Sequence, residues 1–158
     1  MGVAAEIGTL LKARNAVLAV AESCTGGLIA KRLTDVAGSS EWFDRGLVTY
    51  SNGAKQELLG VSPGLLAQAG AVSRECAEAM ARGLLVMAPV HWAMASTGIA
   101  GPGGGTSDKP VGLVWVAWAR RGGAVDTQRL LLDGSREQIR ERAADTALQG
   151  LLERLRRG

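Results

Sequence analysis

Residues 16–36 read AVLAVAESCTGGLIAKRLTDV, and this stretch predicts the fold class. Its first part, Ala16–Ala21, is continuously apolar, which is typical of a strand buried inside a parallel sheet. A polar segment with two glycines, Glu22–Gly27, follows at once, and a helical spacing of apolar residues then runs over Leu28–Val36. A buried strand that passes through a short glycine loop into a helix indicates an α/β domain.

The alternation of strands and helices continues along the chain and changes near its end. Strands are predicted at Arg45–Tyr50 and His91–Ser96, with helical segments before and between them. Two later strands, Val111–Ala119 and Ala124–Leu132, are separated by a pair of glycines and predict an antiparallel β-hairpin. We therefore expect a single α/β domain over residues 1–158, with three layers (α/β/α) built on a mixed sheet.

Serine residues mark the predicted helix starts. Ser51 and Asn52 are both plausible N-caps of the helical segment through Leu59, and Ser62, Ser73 and Ser135 each precede a further segment with helical character. Ser135 also has Gln138 three positions later, which is the pattern of a capping box.

The composition limits the chemistry. One histidine, His91, excludes a histidine-rich metal site and a mechanism with paired histidines. A net charge of +3, with basic residues spread along the chain, argues against nucleic acid as a partner. The two cysteines, Cys24 and Cys76, lack any CxxC or zinc spacing, which favours a reduced, cytoplasmic protein. No apolar run reaches the roughly 18 residues of a membrane span, so no membrane association is expected.

Two glycine-bearing loops follow predicted strands, where ligands of open α/β sheets bind. The backbone N–H groups of Glu22–Gly27 could hold an anion; the alternative is a simple helix cap, with Ser23 or Thr25 as N-cap. The loop Thr97–Gly105 is neither a Walker A sequence nor a GxGxxG motif, because its glycines have the wrong spacing.

Lys55 is the candidate general base. It directly follows the second predicted strand, and burial would lower the pKa of its ammonium group toward neutrality. A solvated helix lysine is the alternative. A lysine base needs a hydroxyl group to activate, and periodicity does not choose among Ser23, Ser39, Ser40, Ser51, Ser96 and Thr97.

A thiol enzyme is the rival hypothesis. Cys24 would be its nucleophile and His91 its base, although only the following helix N-terminus would lower the pKa of that thiol.

Five separated motifs resemble the CinA C-terminal domain family. They are AESCTGG (Ala21–Gly27), GSSEWFDRGLVTYSNGAKQELLGV (Gly38–Val61), GAVS (Gly70–Ser73), STGIAGPGGG (Ser96–Gly105) and KPVG (Lys109–Gly112). The resemblance covers essentially the whole chain, with the motifs in the right order. Several members of that family are nicotinamide-nucleotide amidohydrolases, and the first motif lies so near the start of this chain that it resembles the stand-alone form.

The resemblance implies hydrolysis of the carboxamide of nicotinamide mononucleotide to nicotinic acid mononucleotide and ammonia, in pyridine-nucleotide salvage. It implies no metal and no organic cofactor, with a small-molecule nucleotide as the partner. A non-catalytic nucleotide-binding or regulatory member of the same family is the alternative, because family membership does not guarantee turnover.

The resemblance also assigns roles to individual residues. Ser40 is expected to be the nucleophile, Lys55 its general base and Tyr50 a residue that assists the pair. Five further residues are expected to bind the substrate: Ser23, Thr97, Gly98, Gly101 and Arg136. Within this group Gly98 and Gly101 would form a backbone wall, and Arg136 would hold the 5′-phosphate.

Two tryptophans suggest an assembly. Trp115 and Trp118 are three positions apart on one predicted strand and therefore face opposite sides of the sheet. At least one of them needs cover from a helix or from another subunit, and we expect a homo-oligomer.

Overall fold

The computed structural model describes the whole chain, Met1–Gly158, as one mixed five-stranded sheet with helices on both faces. The strands are β1 (Leu18–Glu22), β2 (Phe43–Val48), β3 (Trp92–Gly98), β4 (Leu113–Arg120) and β5 (Val125–Leu131). Their order across the sheet is β2-β1-β3-β4-β5. Strands β2, β1 and β3 are parallel, whereas β4 and β5 form the antiparallel hairpin that the sequence predicts.

Six α-helices cover the sheet. They are α1 (Val3–Ala13), α2 (Leu28–Thr34), α3 (Asn52–Leu59), α4 (Pro63–Ala69), α5 (Arg74–Met87) and α6 (Arg136–Arg157). None of them combines the length and the apolar content that a membrane span requires.

The two faces of the sheet differ in the size of their side chains. Large residues of the central strands, such as Leu18, Met94 and Trp118, point toward α1, α2 and α6. The opposite face of the central strands is mostly alanine, with Trp115 as its large exception: Ala19, Ala21, Ala93, Ala95, Ala117 and Ala119. Because alternate residues of a strand point to opposite faces, a sequence that alternates large and small residues builds one bulky face and one shallow face. Helix α5 packs directly against the shallow face. The predicted three-layer α/β/α fold on a mixed sheet is confirmed.

The strand boundaries differ from the prediction at the edge where the cleft lies. Strand β2 ends at Val48, two residues before its predicted end, although the N–H of Thr49 still donates to the carbonyl of Glu22 on β1 at 2.8 Å. The carbonyl groups of Thr49 and Tyr50 turn toward the side chain of Lys55. Strand β3 extends two residues beyond its predicted end, to Gly98.

The predicted caps are confirmed. The side chains of Ser51, Ser62, Ser73 and Ser135 each accept a backbone N–H of the following helix. Both halves of the capping box between Ser135 and Gln138 are formed.

Trp115 and Trp118 face opposite sides of β4, as predicted: α6 covers Trp118, whereas Trp115 is half-buried against the apolar cluster on the other face. The indole N–H of Trp118 donates to the carbonyl of Ala147 at 2.9 Å. Gly150 makes room for that ring, since a Cβ there would lie 2.2 Å from it. The homo-oligomer stays a prediction.

Candidate active site

A cleft of about 210 Å³ lies where the three parallel strands end. Six residues predicted from the sequence line it: Ser23, Tyr50, Lys55, Thr97, Gly98 and Arg136. They come from segments that are far apart in the chain, and the parallel strands bring them together because the carboxyl ends of such strands meet at one edge of a sheet.

Lys55 is the central side chain of the cleft. It lies in the first turn of α3, only 1% exposed, and its Nζ is 3.2 Å from Ser23 Oγ, 2.9 Å from the Thr49 carbonyl and 3.2 Å from the Tyr50 carbonyl. Desolvation by burial lowers the pKa of Lys55, and the thiols of Cys76 and Cys24 act in the opposite direction. The alternative of a solvated helix lysine is wrong.

The three neighbours of Lys55 define what its neutral form can do. A neutral amine has two N–H donors and one lone pair, and a carbonyl oxygen only accepts. When the two N–H groups donate to the carbonyls of Thr49 and Tyr50, the lone pair is left for the hydroxyl of Ser23. The protonated form donates to all three groups instead. The arrangement thus allows a proton to pass between Ser23 and Lys55.

Ser40 lies at the other end of β2. It belongs to a short 3-10 turn, Ser39–Glu41, that precedes the strand, and its side chain is exposed. Lys55 follows the opposite end of the strand, and a strand of six residues separates its two ends by about 16 Å. The structure corrects the predicted pairing of Ser40 with Lys55. Within one chain, the hydroxyl group next to the amine of Lys55 is that of Ser23.

The side chain of Glu22, for which the sequence predicts no role, holds the loop after β1. The buried carboxylate of Glu22 accepts the N–H groups of Ile29 and Ala30, both at 2.9 Å. Neither Ser23 nor Thr25 caps α2, because the Glu22 carboxylate accepts the N–H groups of its first turn. An anion held by the N–H groups of the loop itself stays a prediction. Thr25 Oγ1 instead pairs with the hydroxyl of Ser96 at 2.8 Å.

The Cys24 and His91 pair of the rival hypothesis does not form. His91 precedes β3 at the edge of the sheet opposite to the cleft, and its Nδ1 accepts the N–H of Val17 at 2.9 Å. Cys24 is buried, and this burial raises the pKa of its thiol to about 11. A thiol so hard to ionise, with its predicted base His91 at the other end of the strands, is a poor nucleophile.

Tyr50 and Arg136 form a bridge at the mouth of the cleft. The Tyr50 hydroxyl accepts from Arg136 Nη2 at 3.1 Å, and Nη1 of the same guanidinium donates to the carbonyl of Gly101 at 2.7 Å. Arg136 is the first residue of α6, so it joins the start of that helix to two of the loops around the cleft.

The two predicted wall glycines serve different purposes. Gly98 lines the cleft, but a Cβ there would lie 2.7 Å from the carbonyl of Leu113 on β4, so packing inside the chain already requires a glycine. Gly101 lies outside the lining residues and has a φ of +79°, and a Cβ there would approach Val111 to 2.4 Å. Thr97 lines the cleft, and its hydroxyl donates to the carbonyl of Ala71 at 2.8 Å.

Sequence reasoning missed Arg140, which contacts the loop that carries Ser23. Its guanidinium donates to the carbonyls of Cys24 at 3.1 Å and Thr25 at 3.3 Å. One signal was available: Arg140 lies four residues after Arg136 on a capped helix, and residues at that spacing share a face.

A family model described as the CinA C-terminal domain matches residues 1–155. The chain belongs to the CinA C-terminal domain family. Within that family it is 54% identical over 147 residues to the nicotinamide-nucleotide amidohydrolase PncC of Enterobacter agglomerans, with 93% of this chain and 90% of that protein covered. It is 49% identical over 151 residues to PncC of Escherichia coli K12, with 96% of this chain and 92% of that protein covered.

A solved structure gives the same picture for this CinA-family chain. The competence/damage inducible protein CihA from Agrobacterium tumefaciens superposes with a TM-score of 0.93 at 47% identity. The match covers 96% of this chain and 92% of that one.

Proposed function

We propose that this protein hydrolyses the carboxamide of nicotinamide mononucleotide to nicotinic acid mononucleotide and ammonia, with Ser23 as nucleophile and Lys55 as general base. The names of the two amidohydrolase relatives support the reaction class and the nucleotide substrate. The contact between the buried amine of Lys55 and Ser23 Oγ supports the assignment of the catalytic pair. This pair replaces the one that the resemblance implied.

The first half of the reaction forms an acyl-enzyme. Neutral Lys55 accepts the hydroxyl proton of Ser23 while Oγ attacks the carboxamide carbon, and the carbonyl oxygen becomes an oxyanion. The tetrahedral intermediate collapses when its C–N bond breaks. Lys55 then returns the proton to the departing nitrogen, which leaves as ammonia, and the nicotinoyl group stays on Ser23 as an ester.

The second half regenerates the enzyme with water. Lys55 accepts a proton from a water molecule that attacks the ester carbon, and the C–O bond to Ser23 breaks. The proton returns to Ser23 Oγ, the new carboxyl group releases the second proton of the water to solvent, and the product leaves with a carboxylate in place of its carboxamide. Each half uses the same proton-carrying amine, so the chemistry needs no second base.

Arg136 is the proposed contact for the 5′-phosphate. Its guanidinium lines the cleft at the N-terminus of a 22-residue helix, where both the fixed charge and the helix dipole favour an anion. Binding of the phosphate would compete with the contacts that Arg136 now makes with Tyr50 and Gly101.

Ammonia release from nicotinamide mononucleotide tests the proposal. We expect the wild-type protein to release ammonia and Ser23→Ala to lose at least about a thousandfold in kcat, as removal of a nucleophile does. Ser40→Ala is the matched control and should keep wild-type activity, because its hydroxyl lies at the other end of β2. Equal rates for Ser23→Ala and the wild type would refute the catalytic pair. Tight binding of the nucleotide without any product would favour the non-catalytic alternative.

A further inference from the structure

The backbone of the loop Ser23–Gly26 presents two free donors beside the nucleophile. The N–H groups of Cys24 and Thr25 donate to no acceptor in another residue; the Cys24 N–H has only the sulfur of its own side chain nearby. Cys24 also lines the cleft, next to Ser23. Backbone N–H groups this deep in a protein are almost always paired, so two free ones adjacent to a nucleophile are positioned for a ligand atom.

The orientation of these donors is set by the carbonyl groups of the same loop. In a trans peptide the N–H points away from the carbonyl of the same unit. The carbonyl of Cys24 accepts Arg140 Nε, so the N–H of Thr25, which belongs to the same peptide unit, points away from that guanidinium.

Arg140 orients the second donor, the N–H of Cys24, indirectly. Arg140 Nη2 binds the carbonyl of Thr25, and the N–H of Gly26 in that peptide unit donates to the carbonyl of Ser23 at 3.0 Å. The carbonyl of Ser23 shares its peptide unit with the N–H of Cys24, which therefore points away from the turn. One guanidinium thus determines the direction of both free donors.

The loop has the backbone that this contact needs. Gly26 has a φ of +56°, and a Cβ at that position would lie 2.8 Å from Arg140 Nη2. A side chain at position 26 would therefore displace the guanidinium as well as strain the backbone. The charge of Arg140 also polarises the two peptide units that it binds, which strengthens their N–H groups as donors.

We propose that Arg140 is a positioning residue, which directs the backbone N–H groups of Cys24 and Thr25 at the oxyanion that forms when Ser23 attacks the carboxamide. The inference rests on the proposed function and adds a role that the substrate contacts do not explain. Arg140 touches no reacting atom; it acts through the peptide units of the loop.

The test compares Arg140→Met with Arg142→Met. Arg142 lies on the same helix with its side chain exposed and binds the carbonyl of Asp133, away from the cleft, so it is a matched control. We expect kcat for nicotinamide mononucleotide to fall about 10- to 100-fold in Arg140→Met, less than or equal to the loss of a whole oxyanion donor. KM should change less than about threefold, because the oxyanion exists only after the attack. Arg142→Met should match the wild type.

An aldehyde analogue separates positioning from folding. In this analogue of nicotinamide mononucleotide an aldehyde replaces the carboxamide, and addition of Ser23 Oγ gives a hemiacetal whose oxygen occupies the oxyanion position. Its inhibition constant should rise in Arg140→Met by the same factor as kcat falls. In Arg140→Ala, millimolar guanidinium chloride should restore part of kcat, whereas it should not affect Ser23→Ala.

The outcomes distinguish the inference from the function on which it rests. If the wild type is active and Arg140→Met keeps its kcat, only the positioning role is refuted. The same holds if the inhibition constant of the aldehyde and the KM of the substrate rise by the same factor in Arg140→Met. If the wild type releases no ammonia, the proposed function fails and the positioning role fails with it.

Discussion

Lys55 shows how a single residue acquires its chemistry from burial. An ammonium group that is surrounded by protein loses the hydration that stabilises its charge, so desolvation favours the neutral amine. The two carbonyls that accept its N–H groups then leave the lone pair facing Ser23. The same side chain on the surface of α3 would stay protonated at neutral pH and could not act as a base.

This gives a prediction for the pH dependence of the reaction. The neutral amine is the active form, so kcat/KM should rise with pH and level off above the lowered pKa of Lys55, below the ordinary value of 10.5. In Lys55→Arg the guanidinium never loses its proton, and we expect at least about a thousandfold loss at every pH. A pH profile of ammonia release checks this. A rate that falls as pH rises from 6 to 9 would contradict a lysine base.

A second prediction concerns the buried thiol of Cys24. Since burial raises its pKa to about 11, only about one thiol in a thousand is ionised at pH 8. Iodoacetamide at pH 8 should therefore leave ammonia release intact over an hour, and mass spectrometry should find Cys24 modified only after denaturation. Rapid modification with loss of activity in the folded protein would revive the thiol-enzyme hypothesis.

At the scale of elements, the contact between α3 and α5 places Lys55. Gly83 on α5 meets the end of α3 so closely that a Cβ would lie 2.1 Å from the carbonyl of Leu59. That carbonyl belongs to backbone, which cannot move without shifting α3 and the lysine at its start. The glycine is therefore needed for the position of the base as well as for packing.

Gly83→Ala should consequently impair both stability and activity. We expect the free energy of unfolding to fall by about 2–3 kcal/mol, as overpacking does, and kcat to fall with it. Gly64→Ala on α4 is the matched control, because nothing lies within 4 Å of a Cβ there. Its helix propensity should raise stability by up to about 1 kcal/mol and leave kcat unchanged. Urea unfolding and ammonia release measure both effects, and equal behaviour of the two variants would show that the close contact has no cost.

Local chemistry made the elements predictable from sequence. Each of the four helix starts with a serine cap was predicted correctly, because the capping group lies next in sequence to the N–H groups that it satisfies. The end of β2 was not predictable. Thr49 and Tyr50 are residue types common in strands, whereas their carbonyls accept from the amine of Lys55, which becomes a neighbour only after folding.

At the scale of the whole molecule, sheet topology assembles the cleft. Ser23 follows β1, Lys55 follows β2, and Thr97 lies at the end of β3, 74 positions after Ser23. Residue types and resemblance were sufficient to name six residues that line the cleft. They were not sufficient to choose between Ser23 and Ser40, because both serines lie next to a strand and only the direction of that strand decides which one reaches the amine.

Recognition of the phosphate is a prediction at this scale, since Arg136 joins α6 to the loops after β2 and β3. Arg136→Ala should raise KM for nicotinamide mononucleotide about 10- to 100-fold, which is the loss expected for a charged contact. Nicotinamide riboside lacks the phosphate and serves as the control substrate, for which wild type and variant should have similar kcat/KM. Equal losses with both substrates would assign Arg136 to the frame of the cleft instead of the phosphate.

The cleft lies at one end of the parallel strands, and the distance to their other end has a practical consequence. The end where β2 and β3 begin, which carries Ser40 and His91, contributes nothing to the cleft, and both natural cysteines are buried. Ser40→Cys would therefore introduce a single exposed thiol at a distance from the chemistry. A fluorophore attached there would report on tumbling and association of the protein in solution while its substrate turns over undisturbed.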